Sequence, residues 1–465
     1  MTTGTKLATA RLAEIVGGSN FFADPARLAD YEIDGVRPSA AVRPGSSEEV
    51  AEVLKFAAAE KLAVIPSGAR TKLGIGLPPR SYDLALDLTR LDRVISYDPG
   101  DLTLSVEAGI SLRKLAGVLS ERGQFLPLAV PFFGRATIGG TVASGVDSPL
   151  RQFYGTARDY ILGMEFITGE GTLAKSGGRV VKNVTGYDIH KLMIGALGTL
   201  GVMTKVNFRT FPLPVGSRAF VATFETAERA LEMRARVAHS PLTPITTEVL
   251  SPGVADLFYS DAAARIEVDA FAPGIITNRT WAFSAGFAGT EKVLDRCEAE
   301  LRTIAEQCAA AGLTALSADR IPGAFGRKRE FIPIALDSSP ATTILKISML
   351  PSRLKEVLAE IGAAAESDSL PWAAIARGIG IVYAALLPES KTDSSRARVV
   401  RAVDRIQAAC ARFEGHATIP WCPTEWKSHL QTWGAERSDL PQMRKLKTVF
   451  DPHGILSPGR FVGGL

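Results

Sequence analysis

The chain has 465 residues, enough for two or three domains and a large hydrophobic core. Its 53 basic and 49 acidic residues are spread without a basic block, which gives no support to a nucleic-acid-binding function. Its four cysteines lack the short Cys-x-x-Cys spacing of zinc and iron–sulfur ligands, so we expect reduced core cysteines.

The N-terminus predicts a soluble protein. Residues 1–12 contain no apolar run that could serve as a signal peptide. No window of about 20 uncharged apolar residues occurs, so we expect no transmembrane helix. These features predict a cytoplasmic protein, whose contact with an inner membrane would be made only through a partner.

The region 1–215 alternates short strands with helices. Ser46 and Glu49 form the pattern of a capping box, which predicts a helix start. Ser111 begins and Gly123 ends a second helix. Strands are predicted at 62–65, 83–88, 103–108, 161–168, 172–174 and 202–208.

The region from 216 to 425 has a different order of predicted strands and helices. Strands are predicted at 219–224, 280–287, 342–349, 372–376, 379–387 and 416–419, and helices at 227–237, 291–311, 353–366 and 394–413. The last six elements read β-α-β-β-α-β, the order of a ferredoxin-like unit. Residues 321–339 are predicted as a loop, and no internal repeat is evident in the sequence. We therefore expect three parts, at 1–215, 216–425 and 426–465.

Glycine-containing segments punctuate the first part. Residues 136–145 combine Gly139, Gly140 and Gly145 with small side chains, and glycine lets a backbone approach a flat ligand closely. The loop 67–76 leaves a strand and could aim backbone N–H groups at a diphosphate. It lacks the third glycine of a dinucleotide-binding fingerprint and the Gly-Lys-Ser/Thr step of a P-loop.

Four segments in this order resemble the FAD-binding half of the vanillyl-alcohol oxidase / p-cresol methylhydroxylase superfamily. They are residues 136–145, 154–159, 182–188 and 195–202. The run 179–202 is most similar to the FAD-binding subunits of bacterial glycolate oxidases. The resemblance implies an α+β fold: a two-subdomain FAD-binding domain of the vanillyl-alcohol oxidase type with a ferredoxin-like α+β cap, to which the C-terminal segment returns.

The resemblance also implies which residues contact FAD. The implied cofactor-binding residues are Ser67, Gly68, Ala69, Arg70, Thr71, Lys72, Pro131, Thr137, Gly139, Gly140, Ala143, Ser144, Gly145, Gly155, Arg158, Gly201 and Val202. Some relatives bind the flavin covalently through a histidine in the loop 67–76. This loop has none, so noncovalent FAD is expected. Relatives often place an asparagine where this chain has Ser457, which makes that contact with the flavin less secure.

Two residues are candidates for catalysis. Lys182 could stabilise the reduced flavin as a cation, or it could be an ordinary solvated lysine. Tyr187 could donate a hydrogen bond into the site, and a buried structural tyrosine is an equal alternative. Asp159, next to Arg158, is favoured as a structural residue.

The histidines argue against a complete metal site. Related 2-hydroxyacid dehydrogenases hold a divalent metal with closely spaced histidines in the cap. Here the five histidines are isolated: His190, His239, His416, His429 and His453. No metal is therefore expected, and the isolated chain is expected to oxidise glycolate poorly because it lacks a positioned base.

Three functions remain open from the sequence. The first is an FAD subunit of a glycolate or 2-hydroxyacid dehydrogenase complex, with a catalytic FAD subunit and an iron–sulfur subunit as partners. The second is a stand-alone FAD-dependent alcohol, amine or hydroxyacid oxidase. The third is a non-catalytic FAD-binding assembly subunit.

Overall fold

The computed structural model describes residues 3–179, 186–266 and 274–465. Its strands are β1 (Phe21–Phe22), β2 (Ala40–Val42), β3 (Val64–Ser67), β4 (Leu84–Asp87), β5 (Val94–Asp98), β6 (Thr103–Glu107), β7 (Gln124–Phe125), β8 (Ile161–Ile167), β9 (Leu173–Gly177), β10 (Val202–Arg209), β11 (Phe211–Pro212), β12 (Ser217–Phe224), β13 (Thr246–Leu250), β14 (Trp281–Ala288), β15 (Gly312–Leu316), β16 (Thr343–Ser348), β17 (Trp372–Arg377), β18 (Ile381–Leu386) and β19 (His416–Trp421).

The α-helices connect and cover these strands. They are α1 (Thr3–Val16), α2 (Pro25–Leu28), α3 (Ser47–Glu60), α4 (Leu112–Ser120), α5 (Ile138–Ser144), α6 (Arg151–Tyr154), α7 (Ala157–Tyr160), α8 (His190–Met193), α9 (Ala227–Ala238), α10 (Gly253–Phe258), α11 (Asp261–Ala264), α12 (Glu291–Gln307), α13 (Ile321–Arg329), α14 (Phe331–Ser338), α15 (Leu354–Ser367), α16 (Asp393–Arg412) and α17 (Leu440–Phe450). None of the described helices combines the length and apolarity that crossing a lipid bilayer requires.

Two sheets build the first part of the chain. One has the order β1-β2-β4-β3, in which β4 pairs in parallel with both β2 and β3. The other is antiparallel, with the order β5-β6-β10-β8-β9. The helix predicted after Ser46 is confirmed, since the Ser46 hydroxyl accepts the Glu49 N–H at 3.2 Å. This arrangement gives the two subdomains that the sequence predicts.

One eight-stranded sheet dominates the second part, in the order β15-β12-β14-β13-β17-β18-β16-β19. The predicted β-α-β-β-α-β unit from β16 to β19 is confirmed. A second unit of the same topology precedes it, formed by β12, α9, β13, β14, α12 and β15, and the two units join where β13 pairs with β17. The cap is therefore a duplicated topology, whereas the sequence predicted one unit and no repeat.

The prediction of a loop at 321–339 is wrong, because α13 and α14 occupy it. Its two glycines and two prolines suggested a loop, but Pro322 occupies the first turn of α13, where a missing N–H costs nothing. Apolar side chains of α14, including Phe331 and Ile334, pack against one face of the large sheet. Burial of these side chains outweighs the weak helix propensity of the segment.

That face of the sheet also carries a row of polar groups. Backbone pairing aligns Ser284, Glu248 and Arg377 on adjacent strands. Lys328 of α13 lies 2.6 Å from Glu248 and donates to Ser284 at 3.0 Å. Arg377 lies 3.3 Å from Asp147 of the first part. Because Arg377 and Asp147 are both buried, their contact ties the cap to the first part of the chain.

The C-terminal segment 426–465 returns to the first part. Leu456 forms a parallel bridge with Val64, and the Ser457 N–H donates to the Val64 carbonyl at 2.9 Å. Lys447 donates to the Thr199 carbonyl at 2.8 Å. The return segment thus extends the sheet containing β3. These contacts agree with the expected C-terminal unit, and we propose the limits 1–215, 216–425 and 426–465 as the units of the fold.

Lys427 anchors the return segment most tightly. Its ammonium is buried and donates to Asp34 at 2.7 Å, to the Gly74 carbonyl at 2.7 Å and to the Gly76 carbonyl at 2.8 Å. Burial lowers the pKa of Lys427, and Asp34 opposes that shift. The ammonium group therefore has a partner for each of its three protons.

We expect Lys427→Met to lower the free energy of unfolding by about 3–5 kcal/mol, because it leaves the Asp34 carboxylate buried without its cation. Urea unfolding followed by tryptophan fluorescence measures the change. Lys391→Met is the control: Lys391 is exposed and lies 3.7 Å from Glu425, so its loss should cost less than about 1 kcal/mol. Equal urea midpoints for Lys427→Met and Lys391→Met would contradict the assignment of Lys427 as a buried anchor of the return segment.

Candidate functional site

A first cavity lies between the loop after β3, helix α5 and the turn before β10. It encloses about 780 Å³ of empty space. Its walls are formed by Ile65, Pro66, Ser67, Gly68, Ala69, Arg70, Thr71, Lys72, Leu73, Leu88, Ala108, Thr137, Gly139, Gly140, Ala143, Ser144, Leu197, Gly198, Gly201, Val202, Met203 and Arg460.

Two buried cations, Arg460 and Lys427, hold the loop 67–76 by its backbone carbonyls. Arg460 donates to the carbonyls of Leu73 (2.5 Å) and Ile75, while Lys427 takes those of Gly74 and Gly76. Four successive carbonyls are therefore occupied on one side of the loop. The preceding residues 67–72 are left to line the first cavity.

Close packing fixes the start of this loop. A Cβ on Gly68 would lie 2.1 Å from the Thr137 hydroxyl, so only glycine fits there. Arg70 adopts a φ of 59° and lies 3.1 Å from the buried Asp87, which also accepts the Tyr31 hydroxyl at 2.7 Å. The geometry of the loop is thus set by contacts outside the cavity.

The glycine-rich floor is a short helix, α5. Thr137 caps it by accepting the Gly140 N–H at 3.4 Å, and Gly145 ends it in the left-handed conformation. A Cβ on Gly139 would lie 2.9 Å from Ala108 Cβ, so this glycine permits close packing against β6. Gly139 and Gly140 both line the cavity, and the nearest neighbour of a Cβ on Gly140 would be the Thr137 hydroxyl at 3.1 Å.

Several polar groups of the cavity walls have no hydrogen-bond partner in the part of the chain that the structure describes. Among the described residues, Ser67 Oγ and Arg460 Nη1 are buried and make no hydrogen bond. Lys72 is 8% exposed, and within the described ranges its ammonium donates only to the neighbouring Thr71 hydroxyl, at 3.3 Å. Burial lowers the pKa of Lys72 to about 8, although Glu330 opposes the shift. Buried donors without partners fit an anionic ligand.

A second cavity begins where the first ends, since Ser144 lines both. It encloses about 990 Å³ between α5, the cap sheet and the return segment. Its walls are formed by Ile75, Gly76, Ser144, Gly145, Val146, Gly195, Lys346, Ser348, Tyr383, His416, Thr418, Ile419, Pro420, Trp421, Thr432, Trp433, Arg437, Met443, Phe461 and Val462.

The second cavity is positively charged. None of the described residues that line it is a carboxylate, whereas Lys346 and Arg437 are cations. Burial lowers the pKa of His416, and Arg437 lowers it further, against a hydrogen bond with the backbone of Trp433. The imidazole is therefore neutral at pH 7 and able to accept a proton. No group of three or more His, Cys, Asp or Glu side chains in the described ranges could hold a metal ion.

The structure brings most of the predicted cofactor residues together. The predicted residues that line the first cavity are Ser67, Gly68, Ala69, Arg70, Thr71, Lys72, Thr137, Gly139, Gly140, Ala143, Ser144, Gly201 and Val202, and Gly145 lines the second. Pro131, Gly155 and Arg158 line neither cavity. Gly155 ends α6, and Asp159 caps α7 by accepting the Thr156 N–H at 2.6 Å.

The structure describes one of the two candidate catalytic residues. Lys182 lies outside the described residues. The Tyr187 side chain is 90% exposed and lines neither cavity. Ser457 is buried beside Gly198, and its hydroxyl has no partner among the described residues.

Sequence reasoning missed several residues of the second cavity, including Lys346, Tyr383 and His416. They lie on three neighbouring strands, β16, β18 and β19. The available signal was the alternation of polar and apolar residues along β16, where Lys346 and Ser348 share one face. That alternation does not indicate which face of β16 packs against the first part of the chain.

Comparison with known protein families identifies the family to which the chain belongs. Residues 38–177 match the family model "FAD binding domain". Residues 213–419 and 427–461, more than half of the chain, match "FAD linked oxidases, C-terminal domain". The chain belongs to the FAD-linked oxidases. FAD is its cofactor, and the resemblance seen in the sequence is confirmed.

Curated relatives extend along the chain. It is 23% identical to glycolate oxidase subunit GlcD of Bacillus subtilis, over 98% of this chain and 97% of the relative. It is 28% identical to D-2-hydroxyglutarate dehydrogenase of Xanthomonas citri pv. viticola, over 94% and 93%. It is 36% identical to glycolate oxidase subunit GlcE of Escherichia coli, over 37% of this chain and 49% of the relative.

Solved structures share the fold. A substrate-bound p-cresol methylhydroxylase superimposes with a TM-score of 0.79 at 17% identity, covering 99% of this chain and 97% of that one. An alkyldihydroxyacetonephosphate synthase gives a TM-score of 0.73, also at 17% identity, over 98% and 86%. The expected two-subdomain FAD-binding architecture with an α+β cap is thereby confirmed.

We expect Gly140→Val to abolish FAD binding while the protein still folds, because the branched side chain would project into the first cavity. Flavin absorbance per polypeptide measures occupancy. Gly117→Val is the matched control, since Gly117 is also helical and a Cβ there meets nothing within 4 Å. Full flavin occupancy in a folded Gly140 variant would place the floor elsewhere.

We expect Lys72 to make FAD affinity depend on pH. Its ammonium is charged below a pKa of about 8, so the affinity should be constant near pH 6–7. It should weaken by up to about tenfold per unit as pH rises further, because binding the anion must then take up a proton. Lys72→Met should bind FAD more weakly at pH 7 and lose this dependence. Fluorescence titration measures the FAD affinity at each pH. If Lys72→Met keeps the pH dependence of the wild type, Lys72 is not its cause.

Proposed function

We propose that this protein is an FAD-linked dehydrogenase of small 2-hydroxy acids that acts within a multi-subunit assembly. The observation that carries the proposal is the second cavity. It adjoins the FAD floor at Ser144, carries Lys346 and Arg437, and has no carboxylate among the described lining residues. A 2-hydroxy acid is an anion at neutral pH and suits such a lining. Three relatives named for glycolate, D-2-hydroxyglutarate and D-lactate support this substrate class.

We propose that FAD spans the two cavities. The N–H groups of residues 68–72, with Lys72 and Arg460, would hold the diphosphate in the first cavity. The floor formed by α5 would pass beneath the ribityl chain, and the ring system would reach the second cavity at Ser144. When bound, FAD accepts the two electrons and the hydrogen removed from the substrate carbon.

His416 is proposed to take the hydroxyl proton. It lies on β19, lines the second cavity and is neutral at pH 7 because burial lowers its pKa. The apolar walls around it, including Trp421 and Phe461, exclude water from the reacting carbon. This proposal revises the expectation from the sequence that the chain lacks a positioned base. The isolated chain should then reduce its own flavin when it meets the substrate. Sustained turnover should still need an electron acceptor.

We propose that this acceptor is an iron–sulfur subunit, and that a second FAD subunit accompanies it. Two relatives are themselves named as subunits of glycolate oxidase. The four cysteines of this chain are free, and three of them are buried, so the chain itself offers no cluster ligands. Electrons would leave through a partner, which would also provide any contact with the inner membrane.

Two alternatives follow from the same family. A stand-alone oxidase would reduce oxygen directly and need no partner. A non-catalytic assembly subunit would bind FAD without being reduced by hydroxy acids. Placement of His416 in the second cavity favours the catalytic functions over the assembly function.

FAD should be bound noncovalently, because the loop 67–76 contains no histidine, cysteine or tyrosine that could attach it. Acid precipitation of the purified protein should release all of the yellow colour into the supernatant. Flavin that stays with the denatured polypeptide would overturn this expectation.

Anaerobic mixing of the FAD-loaded chain with glycolate, D-lactate or D-2-hydroxyglutarate should bleach the flavin in a single turnover. The rate should rise with pH as His416 loses its proton, and it should level off at a lower pH than an ordinary histidine would give, because burial lowers the pKa of His416. His416→Asn should slow bleaching by about 10²–10⁴-fold. A flavin that stays oxidised with every hydroxy acid, but is fully reduced by dithionite, would favour the assembly subunit.

A further inference from the structure

The wall of the second cavity contains an ordered row of polar residues on adjacent strands. In the sheet order β18-β16-β19, Tyr383 pairs with Lys346, and Lys346 pairs with Thr418. Directly opposite residues of neighbouring strands point to the same face. Tyr383, Lys346 and Thr418 all line the second cavity, so this row faces the space beside the FAD floor.

Lys346 is the charged residue of this row. Its side chain is half-buried, and no carboxylate of the described residues lies within 4.0 Å of its ammonium. Arg437, the other cation, is already engaged by Asp439 through bonds of 2.9 and 2.7 Å. Lys346 is thus the cation of this wall that remains available to a ligand.

Tyr383 offers a second donor beside it. The residue is 4% exposed, and its buried hydroxyl has no partner among the described residues. The guanidinium of Arg377 lies over its ring at 5.0 Å, which fixes the ring in place. A buried phenol without a partner costs free energy unless a ligand accepts its proton.

We propose that Lys346 and Tyr383 together bind the carboxylate of the substrate, and that this anchor works without a metal ion. The inference rests on the proposed function, whose substrate class it deepens. One ammonium and one phenol supply a single positive charge and directed donors, which match a monoanionic carboxylate. Trp421 and Trp433 form apolar walls, which strengthen the contact by excluding water.

Calorimetric titration of the FAD-loaded chain with oxalate, in buffer containing EDTA, tests the anchor. Oxalate cannot be oxidised by removal of a C–H hydrogen, so binding is measured apart from catalysis. Lys346→Gln should weaken oxalate binding by about 10- to 100-fold, the effect of one charge-assisted hydrogen bond. Tyr383→Phe keeps the ring beneath Arg377 and should weaken binding by about 3- to 10-fold.

Lys355→Met is the control, because Lys355 is exposed on α15 and its loss removes one positive charge far from the row. It should bind oxalate like the wild type. Flavin content and thermal midpoint report folding, and Tyr383→Phe decides the matter if Lys346→Gln does not fold. Glycolamide, the neutral analogue of glycolate, should not compete with oxalate.

Three results would overturn the anchor: unchanged oxalate affinity in a folded Lys346→Gln variant, competition by glycolamide equal to that of glycolate, or loss of binding in EDTA. Oxalate binding that depends on Lys346 supports the anchor even if no hydroxy acid bleaches the flavin. In that case the proposed function fails while the carboxylate site stands.

Discussion

The hydrogen bonds from Arg460 and Lys427 to the loop 73–76 support the rest of the site. Each cation holds two backbone carbonyls, and the four carbonyls alternate between them. Both cations belong to the return segment 426–465, so these hydrogen bonds to the loop 67–76 require the end of the chain to pack against its first part. Buried cations of this kind are costly to desolvate, and carbonyls and Asp34 compensate for that cost. The return segment therefore helps to build the first cavity, which Arg460 lines.

The duplicated cap explains how the second cavity obtains its chemistry. Two β-α-β-β-α-β units meet edge to edge, which makes one sheet wide enough to cover the FAD floor. One face of this sheet packs on the cap helices, as Leu345 and Ile347 show, and the alternate residues Lys346 and Ser348 face the FAD-binding half. Polar residues on that face are tolerated because they line a cavity or meet charged partners such as Asp147 and Lys328.

Much of this arrangement could be predicted from local signals. Capping at Ser46 and Ser111, and the strands β16 to β19, depend on neighbouring residues and were found in place. The loop 67–76 and the segment 136–145 were predicted to bind the cofactor because of their glycines, and residues of both line the first cavity, where Gly68 packs against Thr137. The helices at 321–338 were missed because burial, which no local pattern reports, decides their conformation.

The second cavity was missed for a similar reason. Lys346, Tyr383 and His416 lie far apart along the chain, and only strand pairing in the order β18-β16-β19 places them together. His416 looked isolated when judged by spacing along the chain. In contrast, the candidate Tyr187 followed a glycine of a recognised motif, and its side chain is exposed.

A crystal structure of the protein with FAD and oxalate tests the account most directly. The account predicts the diphosphate against residues 68–72 and Lys72, the flavin ring passing Ser144 into the second cavity, and oxalate within hydrogen-bonding distance of Lys346 and Tyr383. A diphosphate bound outside the first cavity, or a flavin ring directed away from β16 and β18, would contradict it.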